Sequence, residues 1–233
     1  MSADPMTADP PSSEPSSADP GDLDALVRRI DPDRWLSSRF IGDPAARADV
    51  IALYAFDNEL ARAPRVASNA LLGEIRLTWW REALDEIFEG RPVRHHPTAQ
   101  AVAAAIARHG LPRAPLEAMI DARYRELDAT PMSPDEALDW ARGTAGQAAE
   151  VAARIMDPSA QAGRATAAGA VWGLARRDLA ADSGETALAR ADARLLSAAA
   201  FPAVAHTTLA LRPANSELAK RLRVTWAVAR GRI

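Results

Sequence analysis

The sequence predicts an all-α domain, and three observations predict it. Apolar residues recur at three- and four-residue spacing through most of the chain, the alternation of a strand is missing, and Pro, Gly or Asp-Pro stands at the breaks. The first 22 of the 233 residues stand apart. They repeat Ser/Thr-Ala-Asp-Pro three times and hold five of the 17 prolines, too little apolar surface to offset ordering entropy, so residues 1–22 read as a disordered tail. Residues 23–233 suffice for one helical domain.

The elements follow in order. Pro44 opens a helix with Val50, Leu53, Tyr54 and Leu60 at helical spacing, running to about Ser68. Leu71 to Phe88 forms the next, stopped by Gly90 and Pro92. Ala99 to Arg108 is a third, ended by Gly110 and Pro112, and Pro115 to Leu127 a fourth. Ser133-Pro134-Asp135-Glu136 is a capping box with Pro at the first helical position, opening a helix towards Met156 that Asp157-Pro158 ends. Further helices are expected over about Gln161–Ala181, Ala187–Leu211 with a break at Pro202, and Ser216–Val228. The sum is roughly eight helices.

Charge and composition remove several function classes. The 28 basic and 31 acidic residues leave a net charge of −3. Asp4, Asp9, Glu14, Asp19 and Asp22 belong to the tail, which has no Lys or Arg, so the body carries 28 cations against 26 anions, or +2. A nucleic-acid binder shows a larger, clustered excess. The absence of Cys removes disulfides, thiolate nucleophiles and zinc–thiolate sites. No stretch approaches the ~18 apolar residues of a membrane span, and no signal peptide is visible, so a cytoplasmic location is the expectation. The four histidines lack a second ligand at metal spacing.

Three stretches carry more chemical texture. In Leu53-Tyr54-Ala55-Phe56-Asp57-Asn58-Glu59-Leu60-Ala61-Arg62, Asp57 shares a side with Leu53, Tyr54 and Leu60. A half-buried carboxylate needs a partner, for which Arg62, Arg65 or an Arg of the next helix are the candidates. In Leu72 to Leu84, Glu74, Thr78, Arg81 and Asp85 form one polar ridge, while Trp79 and Trp80, about 100° apart, divide between core and groove. In Gly173 to Asp182, Asp178 and Asp182 are an i, i+4 carboxylate pair, an arrangement that can hold Mg²⁺ between a protein and a diphosphate; a solvated helix end is the alternative.

Arg34-Trp35-Leu36, Tyr54-Ala55-Phe56, Leu72-Gly73-Glu74-Ile75-Arg76-Leu77 with Trp79-Trp80-Arg81-Glu82-Ala83-Leu84, and Ser133-Pro134-Asp135-Glu136-Ala137-Leu138 with Thr144-Ala145-Gly146 together resemble the squalene/phytoene synthase family over about residues 31–180. The resemblance implies an isoprenoid synthase-type helical bundle around a central cavity for prenyl diphosphates. It also implies Mg²⁺ held by two Asp-rich motifs, with the metal neutralising the departing diphosphate. Tyr54, Asp57, Glu74, Arg76, Trp80, Arg81 and Arg177 become the candidate cavity residues, and Asp178 and Asp182 the candidate metal ligands. The chain departs from the pattern at the first motif, where Ala61 and Arg62 stand in place of its first aspartate, and Asp57 and Glu59 diverge by about 200°. At the second, Leu174 stands where Asn is usual.

The Leu-Gly-Glu-Ile-Arg-Leu and Trp-Trp-Arg block is most similar to the non-catalytic branch that includes complex I assembly factors. That resemblance implies a binding or respiratory-complex assembly role, a protein partner in a membrane complex, and peripheral contact at the inner membrane. A divergent Mg²⁺-dependent prenyl-diphosphate transferase, or a protein binding a prenyl diphosphate or prenyl lipid, is the alternative.

Overall fold

The computed structural model describes residues 20–65 and 69–233. The tail expected over residues 1–22 lies outside the described residues up to residue 19, and α1 (Pro20–Ile30) begins at its last proline. All regular structure among the described residues is helical.

Several starts have a side-chain cap. Asp31 caps α2 (Pro32–Ser38), accepting from the Arg34 backbone N–H with Pro at the first helical position. Asn69 caps α4 (Ala70–Phe88) in the same way. Ser133 and Glu136 form both halves of the expected capping box at α7 (Pro134–Ala141). A π turn over Arg142–Gly146 then leads without a break into α8 (Gln147–Met156).

Two helices are enclosed on every side. In α3 (Pro44–Arg65) each position from Asp49 to Asp57 is buried, because α1, α4, α5 (Pro97–His109), α6 (Arg113–Tyr124) and α8 surround it. In α9 (Thr166–Ala175) the same holds from Ala167 to Leu174. A helix buried on every side belongs inside a helical protein. Both approach their neighbours closely because of small residues. A Cβ on Gly169 would overlap the Ala145 carbonyl oxygen and stand 2.8 Å from the Gly146 Cα, so α9 lies directly on the π turn.

With α7 and α8 taken as one, the described residues hold eleven helices rather than roughly eight. The long helix expected over 161–181 shrinks to α9, because Gly163 takes a positive φ of 85° before it and a left-handed residue ends it. The stretch expected over 187–211 becomes α10 (Ser183–Ala193), a 3-10 turn at Phe201–Ala203, and α11 (Thr207–Leu211). Pro202 cannot donate to a continuous ladder there. The last helix, α12 (Glu217–Arg230), is capped by Ser216 and stopped by Gly231 in the left-handed region.

Candidate functional site

Asp57 lies on the inward face of α3 and is only 6% exposed. Its partners are not those of its own helix. Arg34 of α2 donates from Nη1 to Oδ2 at 2.7 Å, and Arg123 of α6 donates from Nη2 to Oδ1 at 2.7 Å. Arg62, five residues on, points about 140° away and pairs with Glu59 at 3.1 Å. The expectation of a partner from Arg62, Arg65 or α4 is therefore corrected: the cations arrive from two helices remote in sequence.

The pairs continue into a chain. Arg123 donates from Nη1 to Glu126 Oε1 at 2.7 Å, Trp140 Nε1 donates to the same oxygen at 3.0 Å, and Arg177 donates to Glu126 Oε2. Aromatic faces close the sides. Arg34 stacks 4.0 Å over the Trp172 ring and 5.0 Å over Tyr54, and Arg177 stacks 4.4 Å over Trp140. Burial alone would push the Asp57 carboxyl up, but the Arg34 and Arg123 guanidiniums outweigh it and hold it at about 2. Burial pushes the Tyr54 phenol up and Asp31 up as well, with Arg34 opposing in both. At neutral pH the site thus holds a fixed carboxylate and a fixed phenol, and neither is poised to exchange a proton.

These groups bound a central cavity of about 90 Å³. Five guanidiniums line it, from Arg34, Arg65, Arg123, Arg176 and Arg177, against the carboxylates of Asp31 and Asp57. Arg65 makes no ion pair among the described residues; burial, with Arg177, Arg123 and Arg176 nearby, lowers its pKa against the opposing pull of the Glu126 carboxylate. Three buried donors, Arg123 Nε, Arg177 Nε and Asn58 Nδ2, have no acceptor. The cavity is therefore short of negative charge and of hydrogen-bond acceptors.

The expected site residues divide. Tyr54, Asp57 and Arg177 meet in this cavity. Trp80 and Arg76 line a separate groove with Trp79, His96, Glu59 and Arg62, where Trp80 is the buried member of the Trp pair, packed edge-on against Phe56 at 5.3 Å. Glu74 is exposed on α4, and Arg81 pairs with Asp121.

The carboxylate pair expected on one helical face is not formed. The Leu179 N–H bonds to the Leu174 carbonyl at 3.0 Å and the Asp178 N–H to the Ala175 carbonyl at 3.2 Å, the two bonds of a Schellman stop. Asp178 is its left-handed residue, at φ 56°. Asp182 lies beyond that stop and caps α10, accepting from the Glu185 N–H at 2.7 Å. A helix end separates the two, and no group of three His, Asp or Glu side chains suited to a cation occurs among the described residues.

Arg34, Arg123, Glu126, Trp140 and Trp172 were missed as site residues. The one available signal for Arg34 is Asp57 itself, a carboxylate on a helix's apolar side that needs a cation.

A family model described as squalene/phytoene synthase matches residues 27–190. Complex I assembly factor 6 of Bos taurus is 34% identical over 104 residues, covering 44% of this chain and 30% of that protein, and its Homo sapiens counterpart is 33% identical over the same shares. The match thus spans under a third of the length of these relatives. A crystal structure of a dehydrosqualene synthase in complex with ligand superposes with a TM-score of 0.63 at 13% identity, covering 90% of this chain and 95% of that one, a likeness of fold.

Proposed function

Because the chain belongs to the squalene/phytoene synthase family, and its central carboxylate is locked between two guanidiniums, we propose that it is a non-catalytic member acting in the assembly of a respiratory membrane complex. The double ion pair of Asp57 carries the reading. A prenyl-diphosphate transferase needs carboxylates free to hold Mg²⁺ against the leaving diphosphate. Here Asp57 is committed to Arg34 and Arg123, Ala61 faces the same cavity with no ligand atom, Asp182 caps a helix and Asp178 ends one. These residues do not fit the metal. The cavity of about 90 Å³ is also well below the ~300–1,000 Å³ of a typical ligand pocket. The assembly role is supported by relatives named complex I assembly factor 6.

Deleting the gene in its host and measuring intact complex I on native gels tests this. Loss of the assembled complex, restored by the wild-type gene, is expected; normal complex I in the deletion strain overturns the assembly reading. In parallel, purified protein with farnesyl or geranylgeranyl diphosphate and Mg²⁺ is expected to release no diphosphate where a family synthase does.

Arg65, with no ion pair among the described residues, and the three orphaned donors favour a second, compatible reading: the cavity holds a small phosphate-bearing headgroup by guanidinium alone.

A further inference from the structure

The geometry points to α12 as a membrane-surface helix: we propose that its outward face docks this protein on a bilayer carrying anionic lipid. The inference does not depend on what the central cavity holds.

Most amphipathic helices of a globular protein turn their apolar face inward. In α12 an inward stripe exists, with Val224 and Ala227 buried, but a second apolar stripe faces out. Leu218, Leu222 and Trp226 are 68%, 61% and 61% exposed. At i, i+4 and i+8 they form one line about 12 Å long. Arg221 borders the line on one side, and Arg230 continues it one turn beyond Trp226, with its guanidinium 4.2 Å over the Trp226 ring. An apolar midline ending in Trp, with guanidiniums beside it and at its end, is the pattern of a helix lying in a lipid interface, with rings and aliphatic groups entering the acyl boundary and the cations snorkelling to headgroups.

The neighbouring surface has matching charge. A groove of about 400 Å³ between α10 and α12 is lined by Arg190, Arg194, Arg212, Arg230 and Arg232 beside Trp226, and no acidic residue lines it. Arg223 lines the groove as well and donates to the Pro213 carbonyl at 2.5 Å, bracing the start of the helix. The groove arginines have no carboxylate partner among the described residues, whereas Arg113 has two and Arg94 two. A concentrated, unneutralised cationic fringe around a narrow apolar line complements an anionic headgroup layer. Three apolar side chains present well under the roughly 800 Å² per partner that a stable protein interface buries, which disfavours a second copy as the occupant. No helix among the described residues is long and apolar enough to cross a membrane, so the contact is one of lying on the surface.

The test is flotation of the full chain with vesicles of phosphatidylcholine alone and with 30 mol % phosphatidylglycerol. Binding is expected only with the anionic lipid, falling steeply as salt rises. Leu222→Glu is expected to abolish it, and Arg221→Gln and Arg230→Gln each to weaken it about fivefold, the equivalent of about 1 kcal/mol per cation near a charged surface. Because all three side chains are exposed, circular dichroism of each variant is expected to match wild type. Absence of binding to anionic vesicles, equal binding to neutral ones, or binding that survives Leu222→Glu overturns the proposal. So does a dimer in light scattering that Leu222→Glu dissociates, which would make this face a self-interface.

Discussion

At the scale of one residue, Asp57 decides how the centre of the molecule behaves. It is buried with two arginines that are themselves almost fully enclosed. Removing the carboxylate leaves two uncompensated buried cations, and Asp57→Ala is expected to destabilise the fold by about 3–5 kcal/mol, read from urea unfolding. A loss below about 1 kcal/mol would show that water reaches the pair. The pH dependence has a definite sign. The folded carboxyl sits at about 2 against an ordinary 3.8, so its contribution is complete above about pH 4 and is lost as pH falls towards 2. Wild type is therefore expected to lose stability between pH 4 and pH 2 through this group, and the Asp57→Ala protein to lack that component.

Among elements, the decisive contact is α9 against the π turn. Extra room in the backbone ladder at Arg142–Gly146 and the missing Cβ atoms of Gly146, Gly169 and Gly173 let the two segments touch at backbone distance. Gly169→Ala places a methyl group where the Ala145 carbonyl and the Gly146 Cα already stand, neither of which can swing aside. The expected loss is at the upper end of the 1–3 kcal/mol typical of overpacking, with a fall in melting temperature. Gly42→Ala, where a Cβ meets nothing within 4 Å, is the control and should leave stability within ~0.5 kcal/mol. Much of this level was legible from sequence. Helical periodicity gave α3, α4, α5 and α12 to within a few residues at most ends, and the Ser133 capping box is present as written. The exception is informative: Asp178 continued the 3.6-residue pattern on paper, but the chain stops through a left-handed aspartate, a position usually filled by Gly. Periodicity cannot see a stop that carries no Gly or Pro.

On the scale of the whole molecule, the site was only partly legible because its pairs are long-range. Arg34 and Asp57 are 23 residues apart, Asp57 and Arg123 66, and Glu126 and Arg177 51, so the network ties α2, α3, α6 and the end of α9 into one centre. Spacing along a helix reports neighbours at i+3 and i+4, which is why Tyr54 and Asp57 were found and their cations were not. Assembled, the network leaves Arg65, Arg176 and the orphaned nitrogens of Arg123 and Arg177 around a cavity of about 90 Å³. A ligand that binds only the folded chain at 100 times its Kd adds about 2.7 kcal/mol, and for a protein of this size each kcal/mol moves the melting temperature about 2–4 °C. Inorganic diphosphate is therefore expected to raise the melting temperature by roughly 5–10 °C, with EDTA present as well as without it. Arg65→Ala, which breaks no ion pair among the described residues, should abolish most of the shift at an unchanged starting temperature. A shift that appears only when Mg²⁺ is added would mean that metal, and not arginine, holds the anion, and would reopen the catalytic alternative.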